Sequence, residues 1–395
     1  MYPDLSYLLH DLLGTPEDNW TSVVKTFGFL LVLAFLASHY FFRKELIRKE
    51  QQGLLQGSIE KVKVGFPPSI LETATNTLLG FVIGFKAVYL FQNHSEIGAD
   101  IFPFLTSMQG NLPAGIVVAL IFGGSYYYGR YKDQLAKPEV RDVMVKPSDR
   151  SFDITVRAAI SSIIGAKLFA IFESAENVRA FFNDPIGQFF SGSGLAVYGG
   201  LIVAFGYCYW WIRRKGMRPI HVMDAVAPAL IMGYAVGRIG CQLSGDGDWG
   251  IVNIDPPPAG WFLPDWLWAY DYPQNVLEKG VMIEGCEANY CRRLAQPVFP
   301  TPVYETIMGL IIFLILWVMR KKVKVAGMLF FIYLLLSAIE RFYIEKIRVN
   351  DKIAMLGMEL TQAEIISTVL VVVALVGIAL LAMKKVKTIP INQTG

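Results

Sequence analysis

The sequence predicts an all-α integral membrane protein, a polytopic bundle of about nine transmembrane helices with one long external loop. Three observations predict it. Of the 395 residues, 54% are hydrophobic and only 17% charged, with a mean hydropathy of +0.43. A soluble domain carries about a quarter charged residues. Apolar stretches of about 20 residues, the length that crosses a bilayer, recur along the chain. Finally, lysines and arginines gather in every second connection between those stretches.

The elements follow in order. Met1 to Trp20 is mildly acidic and amphipathic, with no basic start and no apolar run before Val23, so it does not read as a signal peptide and span one is expected to be retained. Span one, 22–42, is followed by Arg43, Lys44, Arg48, Lys49, Lys61 and Lys63. Spans two and three, 71–92 and 113–130, precede Arg130, Lys132, Lys137, Arg141, Lys146 and Arg150. Spans four and five, 152–173 and 194–213, precede Arg213, Arg214, Lys215 and Arg218. Span six, 222–243, opens into the longest loop, 244–299, rich in Trp, Tyr and Pro. Span seven, 302–320, ends in Arg320, Lys321, Lys322 and Lys324, and spans eight and nine, 325–347 and 363–383, lead to Lys384, Lys385 and Lys387.

Basic loops stay on the cytoplasmic side, so these clusters are a topology signal and not a nucleic-acid surface. The N-terminus is then outside and the C-terminus inside, which requires an odd number of spans. The aromatic side chains of the 244–299 loop suit the headgroup zone. Cys286 and Cys291 in that loop could form a disulfide in an oxidising compartment, with two free thiols or a metal half-site as the alternatives. No internal repeat and no soluble-domain linker stands out, and 1–395 reads as a single membrane domain.

Charges inside a span are costly and usually functional. Lys167 lies 14 residues past Asp153, and Arg238 lies 14 past Asp224, each about 21 Å along an outward-running helix. Arg341 lies 16 residues past Val325, about 24 Å along. Spans five, seven and nine run inward, with Tyr198, Tyr304, Glu305 and Glu364 near their starts. All these groups are expected at one level, in the outer half of the bilayer. Arg341, Glu345 and Arg348 share one helix face, so Glu345 should neutralise one arginine and leave the other free. Surplus cations at one depth call for an anionic ligand, and a phospholipid phosphate matches arginine's planar donors. Lys86 and Arg157 read as snorkelling or structurally paired. Asp224 reads either as a cap at the start of its own helix or as half of a buried ion pair.

The densest motif is GRIGCQLSGDGDWG, Gly237 to Gly250. Gly237 and Gly240 flank Arg238 and permit close approach of a helix or a lipid. Gly245, Gly247 and Gly250 break the helix, and Ser244, Asp246 and Asp248 offer oxygens beyond it. The D-x-D pair lacks the context of a calcium loop, so a polar turn is expected and no metal.

These residues resemble the prolipoprotein diacylglyceryl transferase family, over span one and nearly everything from about Ile160 to Met383. The family signature G-R-x-G-N-x-x-N-G-E-x-W-G is similar to Gly237–Gly250, with one extra residue before Trp249. The family's H-G-G-L looks like Tyr198-Gly199-Gly200-Leu201, and its P-x-x-x-Y-E looks like Pro300 to Glu305. Its R-x-x-x-E-x-x-R looks like Arg341, Glu345 and Arg348, its G-G-R looks like Gly165-Ala166-Lys167, and its first-span Y-G looks like Phe27-Gly28. Three positions depart from the pattern: Tyr198 replaces the histidine, Cys241 the signature asparagine and Phe27 the tyrosine. Residues 43–150, with two spans, look like an insertion.

The resemblance implies transfer of the diacylglyceryl group of phosphatidylglycerol to the lipobox cysteine of a prolipoprotein, the first step of bacterial lipoprotein maturation. It implies a bacterial inner membrane with the N-terminus and the 244–299 loop periplasmic, the C-terminus cytoplasmic and the site toward the periplasmic leaflet. Arg238 and Arg341 would hold the phosphate, seconded by Arg348 and Lys167. Tyr198 would orient a ligand, and Glu345 or Asp246 would accept the thiol proton. Gly199, Gly200, Gly240, Ser244, Tyr304 and Glu305 would complete the substrate site. The expected partners are phosphatidylglycerol, the prolipoprotein signal-peptide and lipobox segment, and membrane lipids. No nucleic acid and no cofactor are expected. Rival readings are a catalytically inactive lipid-binding paralogue, favoured by the lost histidine and asparagine, and a lipid or anion transporter, which would favour an internal repeat.

Overall fold

A computed structural model describes residues 1–93, 104–105, 107–189, 196–350, 352–355 and 358–383. Helices occupy all nine predicted spans: α2 (Thr26–Gln51), α3 (Ile70–Gln92), α4 (Leu112–Lys132), α5 (Ser151–Phe172), α8 (Val197–Arg214), α9 (Pro219–Ser244), α10 (Thr301–Met319), α11 (Met328–Glu345) and α12 (Gln362–Met383). Among the described residues seven of these segments are long and apolar enough to cross a membrane. The other two, α8 and α11, are 18 residues each. Aromatic and glycine residues dilute α8, and α11 carries Glu340, Arg341 and Glu345. Residues 194 and 195 at the start of predicted span five, and Lys384, Lys385 and Lys387 of the basic tail, lie outside the described residues. Among the described residues there are also short helices α1 (Leu5–Leu13), α6 (Ala175–Asn183) and α7 (Pro185–Phe189) and three two-stranded pairs.

The chain forms two compact units. The first comprises residues 1–17, 24–55 and 217–395. Its centre is α9, which packs on α2, α10 and α11. Gly240 faces α2, where an added Cβ would meet Leu30 Cβ at 3.1 Å and Phe27 Cδ2 at 3.5 Å. Ile231, Ile312, Phe313, Leu316 and Leu329 form the apolar core, flanked by Phe41 and Trp317. α9 begins with Pro219 in its first turn and ends at Gly245. That glycine's φ of +65° allows its N–H to reach Cys241 O, 3.0 Å away.

Asp224 caps a helix, but not its own. Its two oxygens accept the N–H groups of Gly327 (2.8 Å) and Phe330 (3.1 Å), which start α11. Lys49 Nζ stands 3.6 Å from the same carboxylate. Both readings of Asp224 thus hold in part, with the cap displaced onto a neighbour. Another buried carboxylate, Glu45, holds Arg48 Nη2 at 2.7 Å and Arg320 Nε at 2.6 Å.

The 244–299 loop is folded. Trp249, Tyr270 and Tyr272 pack ring to ring, and Tyr272 is fully buried with its hydroxyl on Gln242 Oε1, 2.8 Å. These rings therefore serve an internal cluster, whereas Phe262 and Trp266 stay exposed. Cys286 and Cys291 are joined in a disulfide beside the strand pair β3 (Val281–Met282) and β4 (Arg292–Arg293). The N-terminal segment closes on this loop: Tyr290 N–H donates to Tyr7 Oη at 3.2 Å, and Lys25 pairs with Asp4 at 3.1 Å.

The second unit comprises residues 18–23 and 56–216. Strand β1 (Ser58–Val64) pairs antiparallel with β2 (Glu139–Val145), from Ser58↔Val145 to Val64↔Glu139, so α3 and α4 lie between two paired strands. Lys86 of α3 donates to the carbonyls of Phe104 (2.8 Å), Ser107 (2.6 Å) and Gln109 (2.9 Å), a structural use of its charge. Arg157 lies over the Trp211 ring, 4.9 Å from its centre. α5 and α8 approach closely through glycine: a Cβ on Gly199 would lie 2.3 Å from Phe169 Cβ, and one on Gly200 2.8 Å from Ser162 O.

Candidate active site

Three arginines and three carboxylates meet in the first unit. Glu305, in the second turn of α10, is fully buried and forms the hub. Arg238 Nε lies 2.8 Å from Oε2, while Arg341 Nη1 and Arg348 Nη1 lie 3.4 Å and 3.2 Å from Oε1. Asp248 pairs with Arg238 on one oxygen and with Arg348 Nη2 on the other, at 2.5 Å. Glu345 pairs with Arg341 Nη2 at 2.9 Å and accepts Asn350 Nδ2 at 2.6 Å.

The glycine-rich turn is positioned by backbone bonds. Gly250 N–H reaches Phe299 O at 2.8 Å, Ile251 N–H reaches Ile347 O at 2.8 Å, and Thr301 Oγ1 donates to Asp248 O at 2.7 Å. Gly250 has no room for a side chain, since a Cβ would sit 2.5 Å from Ile347 O. The turn is thus wedged between the end of α11 and the start of α10, which delivers Asp248 to the arginines.

The expectation that one arginine stays free does not hold. Each guanidinium has acidic partners, because the three carboxylates balance the three cations and a buried unpaired charge would be costly. Each guanidinium still has five donors in a fixed plane, more than these pairs consume. Arg341 is the most open of the three, with 25% of its side chain exposed against 16% for Arg238 and 10% for Arg348.

The two aspartates of the turn differ. Burial would raise Asp248, but the charges of Arg238 and Arg348 outweigh it and hold its carboxyl below the usual range. Burial and the Asp248 charge push Asp246 up. Cys241, at the position of the family's asparagine, lies with its Sγ 3.8 Å from Arg238 Nη1 and 3.7 Å from Asp248 Oδ2. Ligand atoms of Cys241, Asp246 and Asp248 lie within 4.8 Å of one another. A dication there would compete with two arginines already on Asp248.

Other expected site residues have structural partners. The Ser244 hydroxyl donates to Gly240 O at 2.8 Å, and Tyr304 Oη donates to Leu267 O at 2.6 Å. Glu364 pairs with Lys346 and accepts Thr361 N–H at 2.8 Å. In the second unit, Gly199 and Gly200 lie in the α5–α8 contact, Tyr198 is half-buried one position before them, and buried Lys167 reaches Gln188 O at 3.5 Å.

Sequence reasoning placed Asp248 only in the turn and passed over Tyr234 and Glu340. Tyr234 lies under Arg238, 5.2 Å from ring centre to guanidinium carbon, and its hydroxyl donates to Glu340 Oε1 at 3.2 Å. Charge balance would have found Asp248, since three buried arginines need three carboxylates.

A family model described as prolipoprotein diacylglyceryl transferase matches residues 114–380, from α4 to α12. The chain is 28% identical over 246 residues to the phosphatidylglycerol–prolipoprotein diacylglyceryl transferase of Lysinibacillus sphaericus, covering 62% of this chain and 80% of that one. It is 29% identical over 233 residues to the transferase of the same name from Dehalococcoides mccartyi, covering 58% and 76%. A third, from Clostridium novyi, is 27% identical over 228 residues, covering 58% and 78%.

Proposed function

Because the chain belongs to the prolipoprotein diacylglyceryl transferase family, we infer that it moves the diacylglyceryl group of phosphatidylglycerol to the lipobox cysteine of prolipoproteins. It is a multi-pass membrane transferase. The observation that carries the reading to the residue level is the arginine cluster around Glu305.

The lipobox thiolate attacks the glyceryl carbon bonded to phosphate. A C–S bond forms, the C–O bond to phosphate breaks with its electron pair on the phosphate oxygen, and glycerol phosphate leaves. Arg238 and Arg341 hold the phosphate with donors their carboxylates do not use, and Arg348 supports them. Glu305 and Asp248 fix those guanidiniums before lipid arrives, so little reorganisation is needed as charge develops on the leaving group. The thiol's proton must pass to a base, since the thiolate is the nucleophile. Glu345 already holds Arg341 and Asn350. Gly240, Ser244 and Tyr304 shape the substrate site around these arginines in this reading.

The basic-loop pattern supports an inner-membrane protein with its N-terminus periplasmic, its C-terminus cytoplasmic and the arginine cluster toward the periplasmic leaflet. The disulfide Cys286–Cys291 fits an oxidising compartment on that side. Residues 43–150 are an insertion in this reading.

The test uses purified protein, labelled phosphatidylglycerol and a lipobox peptide, with a Cys→Ser peptide as control. Thiol-dependent lipid transfer with release of glycerol phosphate is expected, and Arg341→Ala should lower it about 100-fold. A wild-type sample that binds phosphatidylglycerol but transfers nothing would favour the lipid-binding paralogue, for which Tyr198 and Cys241 are the motivating departures.

A further inference from the structure

The transfer needs a proton acceptor, and the position where the family pattern has histidine holds Tyr198, a phenol that ordinarily titrates near pH ~10. All three carboxylates of the cluster are occupied by arginine: Glu305 by three guanidiniums, Asp248 by two, and Glu345 by Arg341. Glu340 is different. It is buried, with 6% exposure, on α11 beside Arg341. Among the described residues it has no ion-pair partner, and its hydrogen bond comes from Tyr234 Oη, 3.2 Å away. Tyr234 precedes Arg238 by one helical turn, and its ring lies beneath the guanidinium.

We propose that Glu340, acting through the Tyr234 hydroxyl, takes the proton of the attacking thiol. The proposal rests on the transferase reading above. Arg238 grips the phosphate, so the carbon under attack lies next to that grip. Tyr234 stands one turn away on the same face of α9, within side-chain reach of a thiol approaching that carbon. The thiol S–H gives its proton to Tyr234 Oη as Tyr234 passes its own proton to Glu340 Oε1. The sulfur electron pair forms the C–S bond, and the C–O pair departs with glycerol phosphate. Glu340 later returns its proton to solvent by the same path. Tyr234 is the residue that meets the substrate, and Glu340 is its positioning and proton-holding partner. The ionisable groups acting on Glu340 are Tyr234 and Arg238 from α9, Glu305 from α10, and Arg341 and Tyr333 on α11 itself.

The experiment measures steady-state transfer by the full-length protein in phosphatidylglycerol vesicles from about pH 6 to pH 9, with a lipobox peptide. Glu340→Gln and Tyr234→Phe should each lose about 100-fold in kcat near pH 7. KM for phosphatidylglycerol should not change. The loss should shrink toward pH 9, where the peptide thiol, with a pKa of about 8.5, ionises unaided. Glu340→Asp should restore part of the activity. A loss that is equal at every pH would mean a merely structural role and overturn the proposal. So would the pH-dependent loss appearing in Asp246→Asn instead. Should Glu340→Gln fail to fold, Tyr234→Phe carries the same prediction. An active wild type with parallel profiles sinks this proposal alone, whereas a wild type without thiol-dependent transfer sinks the transferase reading as well.

Discussion

Glu305 takes its importance from being shared. Replacing it with glutamine leaves three guanidiniums facing two carboxylates in a buried setting. Glu305→Gln should therefore destabilise the protein by roughly 3 kcal/mol, read by thermal unfolding in detergent. An unchanged midpoint would mean that water already compensates these charges. Asp248 makes a pH prediction of definite sign. Its folded pKa is depressed, so its pairs contribute fully above the unfolded value of about 3.9 and are lost as pH falls through the lower folded value. Acid titration of the folded protein should show Asp248 staying ionised to lower pH than an ordinary aspartate, and Asp248→Asn should flatten that part of the stability profile. Asp246, raised by burial and by its neighbour, acts with the opposite sign: its ionisation weakens the fold as pH rises. The arginines were legible from sequence because charge is conspicuous in apolar helices. Glu345 and Glu305 were legible for the same reason, and Asp248 was harder to find. Asp248 reaches the cluster only through a glycine turn whose path depends on contacts with Ile347 and Phe299, far along the chain.

At the scale of helices, hydropathy located all nine segments, because a bilayer-length apolar run has few alternatives. The pairing of helices was less visible. Gly199 and Gly200 were read as substrate contacts from their motif, yet they also form the surface on which α5 and α8 touch. Gly199→Ala would put a methyl group 2.3 Å from Phe169 Cβ, so the two helices must separate. The expected cost is about 2 kcal/mol, measured as a lowered unfolding midpoint, with transfer per folded molecule less affected than stability. Loss of transfer at unchanged stability would restore the substrate-contact role. Asp224 shows the same limit of local reading. An acid at the start of a helix suggests a cap for that helix, and only packing reveals that the N–H groups it satisfies belong to α11.

For the molecule as a whole, the ladder of β1 and β2 brings Val64 opposite Glu139. Residues 65–138 could then be replaced by a short Asn-Gly turn that joins the two strands. The shortened protein should still transfer lipid, since the arginine cluster lies in the other unit. Loss of transfer at normal expression would show that α3 and α4 serve the reaction. The short pairing strands were not legible in the sequence because β1 and β2 are charged and at most half-buried, with no sustained apolar alternation to mark them. The bond from Asp224 to Gly327 has one more consequence. Arg238 follows Asp224 by 14 residues, and Arg341 follows Gly327 by 14. Two rods of equal length, pinned together at their feet, end level, and both guanidiniums arrive about 21 Å above the pin. A single residue inserted into α11 would lift Arg341 by about 1.5 Å and swing it by about 100°. The same insertion in α9 would displace Arg238 instead, so the height of the arginine cluster is gauged from the far end of the bundle.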